Sequence, residues 1–215
     1  MRSRPVPGAV YAIADAELLS SEAVPGAVAA IVGAGISWIQ LRGKRLSGAA
    51  HFDLAECCCR ALAGSGAALW LDDRVDVAAL LPVAGVHLGQ RDLPATAARE
   101  ILGPDLWLGA STHNSEELLA AAANPEVDII AVGPIYPTTS KERLEPVVGL
   151  PFLRWARKAT NKPLVAIGGI DVDRLPAVLD AGADSAAVLA AVCRGNVAAN
   201  ARRLLTAAHG ARARA

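Results

Sequence analysis

Short apolar runs recur along the chain at fairly even intervals, and apolar and polar residues do not alternate within them. Nearly continuous apolar runs of this length are typical of strands that are buried on both faces, as in a parallel sheet. The pattern therefore predicts eight buried strands. They span residues 9–14, 38–42, 68–72, 85–89, 106–111, 129–135, 163–169 and 185–190.

Stretches rich in alanine, leucine and arginine separate these runs and show helical spacing, for example 52–62, 95–101, 116–123, 150–158 and 172–180. Parallel strands need crossover connections, which are usually helices. Eight strand–helix units of roughly 25 residues nearly fill the chain, so we predict an α/β fold with a single-domain (βα)₈ TIM barrel. The alternative is an open doubly wound sheet. We expect the barrel domain to span 1–208 and a flexible tail to span 209–215.

Composition narrows the classes of function. Hydrophobic residues make up 53% of the chain and charged residues 20%, which is enough for a packed core and excludes a disordered protein. The 21 basic and 21 acidic residues balance, and no basic run is present, which argues against nucleic acid as a partner. The longest uncharged run, 23–41, contains proline and glycines, so we expect no membrane span.

Two further features predict a cytoplasmic protein. The first residues lack the apolar segment of a secretory signal. Three consecutive cysteines, Cys57, Cys58 and Cys59, point in different directions on a helix and cannot alone surround a metal ion, and Cys193 stands apart. We interpret all four as reduced thiols.

In a TIM barrel the chemistry takes place at the carboxyl ends of the strands. Polar residues follow six of the predicted strands, at 40–44, 72–74, 87–92, 111–113, 133–141 and 168–170. Gln40, Arg42 and Lys44 alternate, so in an extended segment they share one face, which suits a phosphate or diphosphate. The alternative is a solvated strand end.

Carboxylates end the third and fourth strands. Asp73 and Asp92, with Asp72 beside the first, are hard oxygen ligands near the predicted anion site, and Mg²⁺ combines a few carboxylates with substrate phosphate oxygens. The alternative is ordinary pairing with Arg74 and Arg91.

Two later loops suit a second anion. Residues 138–141 combine three hydroxyls with a lysine, and the glycines at 168–169 let backbone N–H groups approach a ligand ahead of a helix. His87 lies on the fourth predicted strand and His113 just after the fifth. A lone histidine is more often structural than catalytic, and His113 is also a candidate cap of the helix that starts near Asn114.

Taken together and in order, these segments resemble the thiamine-phosphate synthase family over about residues 9–192. The matching stretches are 11–15, 40–44, 72–78, 85–92, 111–113, 133–141 and 166–170. The resemblance implies a TIM barrel that joins a hydroxymethylpyrimidine diphosphate to a hydroxyethylthiazole phosphate with Mg²⁺, releasing diphosphate. It also allows a homodimer, which nothing in the residues demands.

The resemblance implies three groups of site residues. Those expected to contact the pyrimidine diphosphate are Gln40, Leu41, Arg42, Gly43, Lys44, Asp72, Ser111 and Lys141, of which Arg42, Lys44 and Lys141 are catalytic. Those expected to hold the thiazole phosphate are Thr138, Thr139, Ser140, Gly169, Leu189 and Ala190. Asp73 and Asp92 are expected to bind Mg²⁺.

The chain also departs from the family pattern. Asp72 stands where asparagine is usual, Gly43 where an acid is usual, and Ala187 and Ala190 where serines are usual. These departures keep two alternatives open: a thiazole tautomerase-like isomerase and a non-catalytic phosphate-binding or regulatory barrel. The retained Asp73, Asp92 and Lys141 favour the synthase.

Overall fold

The computed structural model describes residues 6–138 and 145–212. Its parallel strands are β1 Val10–Asp15, β2 Trp38–Arg42, β3 Ala68–Asp72, β4 Gly85–Leu88, β5 Trp107–Thr112, β6 Ile129–Val132, β7 Leu164–Ile167 and β8 Ser185–Val188. Its helices are α1 Val24–Gly33, α2 Gly48–Leu62, α3 Val75–Ala78, α4 Ala95–Leu102, α5 Ser115–Ala123, α6 Gly149–Ala159, α7 Leu175–Asp180, α8 Ala190–Cys193 and α9 Val197–Arg212.

The eight strands form one closed barrel in chain order. Each strand pairs in parallel with the next, and β8 returns to β1, where Ala186 lies opposite Val10. The TIM-barrel prediction is therefore confirmed, and the open doubly wound sheet is wrong. Within the described ranges, no helix is both long enough and apolar enough to cross a membrane.

Four predicted runs extend past the carboxyl end of the strand that they contain. Strand β8 ends at Val188, two residues before the predicted end at 190. Strand β6 stops at Val132 because the next residues are Gly133 and a proline that has no N–H for the ladder. Strand β7 stops at Ile167, before Gly168, whose φ of 102° lies outside the strand region. Strand β4 ends at Leu88, one residue before the predicted end.

The predicted domain boundary at residue 208 falls inside a helix. Helix α9 continues to Arg212, and Leu204, Ala208 and Ala211 are buried along one of its faces. Their spacing of four and three residues continues the apolar stripe, so residues 209–212 extend the helix instead of starting a tail. Residues 213–215 lie outside the described part.

The barrel interior is filled by aromatic rings. Tyr11, Trp38, Trp70 and Trp107 project inward, with ring centroids 5.2–6.1 Å apart. The indole rings fit because the neighbouring strand β4 carries glycine at position 85. A Cβ on Gly85 would meet Trp70 Cζ3 at 2.8 Å and overlap the Trp107 carbonyl. The aromatic layer fills the barrel below the strand ends and forms the floor of the mouth.

We predict that Gly85→Ala destabilises the protein by about 1–3 kcal/mol, because the added methyl overpacks the aromatic layer. For a chain of this size that lowers the melting temperature by about 2–4 °C per kcal/mol, measurable by calorimetry. Gly26→Ala is the matched control: nothing lies within 4 Å of its Cβ position in helix α1, so stability should rise slightly. Equal effects of the two substitutions would contradict the packing argument.

Candidate active site

The candidate site lies inside the barrel at the carboxyl ends of strands β1 to β5. Asp15 lies opposite Arg42 in the β1–β2 pairing, and Asp72 lies opposite His87 in the β3–β4 pairing. Because side chains on a strand alternate, Gln40 and Arg42 face inward together. Leu41, between them, packs outward in the core between barrel and helices, so only its backbone can reach a ligand.

Arg42 is held by carboxylates on both sides. Its Nη1 forms an ion pair with Asp15 and lies 3.6 Å from Glu17 Oε2, while its Nε lies 3.8 Å from Asp72 Oδ2. Asp15 is itself fixed by the backbone N–H groups of residues 17 and 18, at 2.8 and 3.1 Å from Oδ1. Burial lowers the pKa of Arg42, but Asp15 and the other carboxylates raise it by more, so the guanidinium keeps its charge.

Lys44 connects the β2–α2 loop to the end of β3. Its Nζ lies 3.1 Å from Asp72 Oδ2 and donates to the carboxylate of Asp73. Asp72 therefore lies between the two predicted diphosphate ligands, Arg42 and Lys44. The structure thus brings two cations and two carboxylates from neighbouring strands to one point of the mouth.

Asp73 has an unusual backbone and an unusual acidity. Its φ of 61° makes it the one residue other than glycine with positive φ in the described part of the chain. Its pKa is raised to about 7, first by burial and then by the neighbouring carboxylate of Asp72. Burial also raises the pKa of Asp72, against the attraction of Lys44. A strained backbone and a raised carboxyl pKa together are typical of functional sites.

Asp92 lies close enough to raise the pKa of both Asp72 and Asp73 through like charge. Its Oδ2 accepts a hydrogen bond of 2.8 Å from the Gly89 N–H. Among the described residues, no group of three or more histidine, cysteine or acidic side chains is arranged to hold a metal ion. Mg²⁺ needs only one or two protein carboxylates when phosphate oxygens complete its shell, so hard ligands at Asp73 and Asp92 suit it chemically.

A wall of polar side chains lines the mouth beside these charges. Gln40 donates to the Tyr11 hydroxyl at 3.2 Å, His87 Nε2 lies 2.9 Å from Ser111 Oγ, and Gln90 donates to the Ser111 carbonyl at 2.6 Å. Gly109 leaves room for the His87 ring, because a Cβ there would overlap Nδ1. This wall offers hydrogen bonds suited to an uncharged heterocycle.

The predicted second anion site lies at the ends of β6, β7 and β8. The β6–α6 loop lies along the β7–α7 loop, with Tyr136 N donating to the Gly168 carbonyl at 3.0 Å. Gly169 has φ of 61°, and Ala190 begins the short helix α8 after Leu189. Thr138 ends the described part of its loop, whereas the predicted ligands Thr139, Ser140 and Lys141 lie outside the described residues.

The remaining predicted residue, Gly43, has a structural reason to be glycine. A Cβ there would meet Leu46 Cδ1 at 2.6 Å and His51 Cδ2 at 3.3 Å. The loop that carries Lys44 therefore packs closely on helix α2 where the family usually has an acidic side chain.

Sequence reasoning missed Asp15 as a site residue and favoured a structural role for His87. Asp15 closes strand β1 as Arg42 closes strand β2, so an acid at the end of the first apolar run was the available signal. The contact between His87 and Ser111 joins residues 24 positions apart, and no local pattern shows it.

Fold and site define a class of protein: a (βα)₈-barrel enzyme whose mouth gathers cations, carboxylates and glycine-rich loops. The chain belongs to the thiamine monophosphate synthase family, whose sequence model matches residues 10–192. It is 43% identical over 185 residues to the thiamine-phosphate synthase of Koribacter versatilis, covering 84% of this chain and 87% of the relative. It is 40% identical over 200 residues to the thiamine-phosphate synthase of Mycobacterium tuberculosis, covering 88% and 89%.

Solved structures agree with the sequence relatives. Thiamine phosphate pyrophosphorylase from Pyrococcus furiosus superposes with a TM-score of 0.84 at 31% identity, covering 94% of this chain and 96% of that one. Orotidine 5′-phosphate decarboxylase from Pyrococcus horikoshii, at 12% identity and a TM-score of 0.64, shares the fold alone. The isomerase and the non-catalytic barrel find no support among these relatives.

The pKa of Asp73 leads to a prediction about stability. A folded pKa of about 7 lies above the ordinary value of 3.8, so the folded state holds a proton that the unfolded state releases between those pH values. The free energy of unfolding therefore falls as pH rises from about 4 to 7. We predict that Asp73→Asn stabilises the ligand-free protein above pH 7, by about 1–2 kcal/mol after allowance for solvent screening, and has little effect near pH 4.

Asp76→Asn is the control of opposite sign. Hydrogen bonds from Arg74 lower the pKa of Asp76 to about 2, so its stabilising contribution is present above pH 4 and is lost on acidification. This variant should be less stable than the parent at neutral pH. Thermal melts from pH 2 to pH 8 measure both effects, and a pH-independent difference for Asp73→Asn would refute the assignment.

Proposed function

We propose that the protein condenses 4-amino-2-methyl-5-hydroxymethylpyrimidine diphosphate with 4-methyl-5-hydroxyethylthiazole phosphate to form thiamine phosphate and diphosphate. The observation that carries the proposal is the convergence of Arg42 and Lys44 on Asp72, at 3.8 and 3.1 Å, in the mouth of a barrel of this family. The names of its relatives support the same reaction.

Arg42 and Lys44 would bind the diphosphate. Arg42 presents a planar fork that matches two phosphate oxygens, and Lys44 supplies a compact charge on a half-exposed stem. Both cations form ion pairs with carboxylates in the free protein. Diphosphate would therefore replace these carboxylates as the partner of Arg42 and Lys44. Lys141, outside the described residues, is proposed as the third cation.

Asp73 and Asp92 are the proposed ligands of Mg²⁺. When bound there, Mg²⁺ supplies Lewis-acid stabilisation of the charge on the leaving diphosphate. The support lies in the donor chemistry: two hard carboxylates beside an anion site, with repulsion among Asp72, Asp73 and Asp92 that a cation relieves.

The reaction transfers the exocyclic CH₂ carbon of the pyrimidine from the diphosphate oxygen to the thiazole nitrogen. The bond between the exocyclic CH₂ of the pyrimidine and the diphosphate oxygen breaks, and its electron pair leaves with the oxygen. The amino group of the ring stabilises the resulting cation, and the thiazole nitrogen then donates its lone pair to form the new C–N bond. No protein nucleophile is required, so the residues act by holding charge on the leaving group and by positioning.

The wall of polar side chains suits the pyrimidine ring. Gln40, His87 and Ser111 offer donors and acceptors that are already ordered by contacts within the protein, Gln40 with Tyr11 and His87 with Ser111. Burial raises the pKa of Tyr11 well above its usual value, so its hydroxyl keeps its proton. These ordered polar groups would orient the ring by hydrogen bonds, while Arg42 and Lys44 stay available to the diphosphate.

Thr138, Thr139, Ser140, Gly169, Leu189 and Ala190 are the proposed anchor of the thiazole phosphate. The usual serines are alanines at positions 187 and 190, and Ala187 is buried inside the barrel. Binding there would therefore depend on backbone N–H groups and on the hydroxyls of the β6–α6 loop. Gly169 has a positive φ and no Cβ, so its backbone N–H can be approached closely by a ligand.

We further propose that the partners are small phosphorylated molecules and that the protein acts in the cytoplasm, without nucleic acid or membrane partners. Its balanced charge and its four free cysteines support this environment. The homodimer remains an expectation from the resemblance.

The direct test is incubation with both substrates, with and without Mg²⁺, followed by assay of thiamine phosphate and diphosphate. Both products should appear in equal amounts and only with the metal. Binding of both substrates without turnover would instead support the non-catalytic alternative.

We predict that Asp92→Asn lowers turnover about 10²–10³-fold at fixed Mg²⁺, because one anionic ligand is lost where charge develops. The melting temperature should change little, since an asparagine oxygen can still accept from Gly89 N. Asp105→Asn, on an exposed loop, is the control with the same change of charge. Full activity of Asp92→Asn would remove Asp92 from the metal site.

Asp72→Asn should be tolerated or improve binding. It restores the usual family residue and frees Lys44 from one carboxylate, so affinity for inorganic diphosphate should rise about two- to tenfold. Calorimetric titration beside an exposed control, Asp53→Asn, measures the effect. A large loss of affinity or of rate would show that Asp72 has a role that asparagine cannot fill.

A further inference from the structure

Two loops at the far side of the mouth are joined by backbone hydrogen bonds. Ile135 N donates to the Ile167 carbonyl at 2.9 Å, and Tyr136 N donates to the Gly168 carbonyl at 3.0 Å. No side chain fits between the loops, because a Cβ on Gly169 would meet Tyr136 Cβ at 2.8 Å and the Pro137 carbonyl at 2.5 Å. The two loops are therefore held together by direct backbone contacts.

These hydrogen bonds set the direction of the Gly169 N–H. In a trans peptide the N–H and the carbonyl point in opposite directions, so Tyr136, by holding the Gly168 carbonyl, orients the N–H of Gly169. That N–H is a proposed donor to the thiazole phosphate. Its direction depends on the place of Tyr136 against the glycines.

Arg174, just before helix α7, spans both loops. Its Nη1 donates to the Gly169 carbonyl at 2.7 Å, and its guanidinium carbon lies 4.8 Å from the centroid of the Tyr136 ring. Asp171 holds Arg174 from below: its Oδ1 accepts from the Arg174 backbone N–H at 3.0 Å, and its Oδ2 lies 3.8 Å from Nε. The arginine thus fixes the peptide after Gly169 directly and the peptide before it through Tyr136.

We propose that Arg174 is a positioning residue for the second substrate, an inference that rests on the proposed function. It holds Gly169 and the Tyr136 loop, which also carries Thr138, in the arrangement that receives the thiazole phosphate. Arg174 lies on the β7 side of the barrel, away from Arg42 and Lys44, so it acts on one substrate and not on the other.

Chemistry explains why this position needs arginine. A planar guanidinium can stack on a ring and donate in its own plane at the same time, whereas an ammonium has no flat face. The side chain is 45% exposed, so it contributes little to the core, and its removal should leave the barrel folded.

The test compares Arg174→Gln and Arg174→Lys with an exposed control, Arg154→Gln on helix α6. We expect both Arg174 variants to raise the KM for the thiazole phosphate about tenfold, the loss expected for one charge-assisted hydrogen bond. The KM for the pyrimidine diphosphate, the kcat at saturation and the melting temperature should stay within the range of the control. Titration with the thiazole phosphate alone should show the same loss of affinity without turnover.

A second variant tests the route through the ring. Tyr136→Leu should raise the same KM, and the double variant Tyr136→Leu with Arg174→Gln should be little worse than either single variant, because both interrupt one chain of contacts. Additive losses would overturn the coupling. A wild-type KM in Arg174→Gln would overturn the whole proposal, and one in Arg174→Lys would overturn its geometric basis, since lysine keeps the charge.

The parent protein separates this inference from the proposed function. If the parent forms no thiamine phosphate, the proposed function fails whatever the variants do. If the parent is active and Arg174→Gln matches Arg154→Gln in every measurement, only the role of Arg174 fails.

Discussion

Charge compensation around Arg42 and Lys44 is the constraint on which the mouth of this barrel depends. Two cations lie in a partly buried space only because Asp15, at the end of β1, and Asp72 and Asp73, at the end of β3, face them from both sides. The carboxylates in turn tolerate burial only because the cations are there. Removing a cation would leave buried carboxylates uncompensated, whereas the carboxylates outnumber the cations, so neutralising one of them relieves repulsion.

This mutual neutralisation fits the proposed chemistry. A substrate that carries diphosphate and arrives with a divalent cation brings both signs of charge, so each internal ion pair can be replaced by an external one without a large change in net charge. The raised pKa of Asp73 reflects first its burial and then the neighbouring carboxylate of Asp72, which Lys44 offsets only in part. The proposed thiazole site, by contrast, offers mainly backbone groups and glycines among its described residues.

The strand pattern was readable from the sequence because parallel barrel strands are apolar on both faces, and the polar residues that follow them mark the mouth. Lys44 and Asp73, 29 positions apart, were predicted to share a site for that reason, and they do. The outward direction of Leu41 follows from the alternation that places Gln40 and Arg42 on one face. Asp15 was missed as a site residue because its partner lies on the next strand. The domain boundary was placed at residue 208 because the last buried residues of helix α9 are alanines, whose apolar signal is weak.

The aromatic layer below the mouth gives this protein an optical signal of its own. Three of its four tryptophans are packed together inside the barrel, and the fourth, Trp155, lies on an outer helix. Indole emission shifts to longer wavelength in water, so the ultraviolet fluorescence of the chain mainly reports whether the cylinder of strands is closed. Folding can therefore be followed without any attached dye, at the floor of the cavity where the ligands would bind.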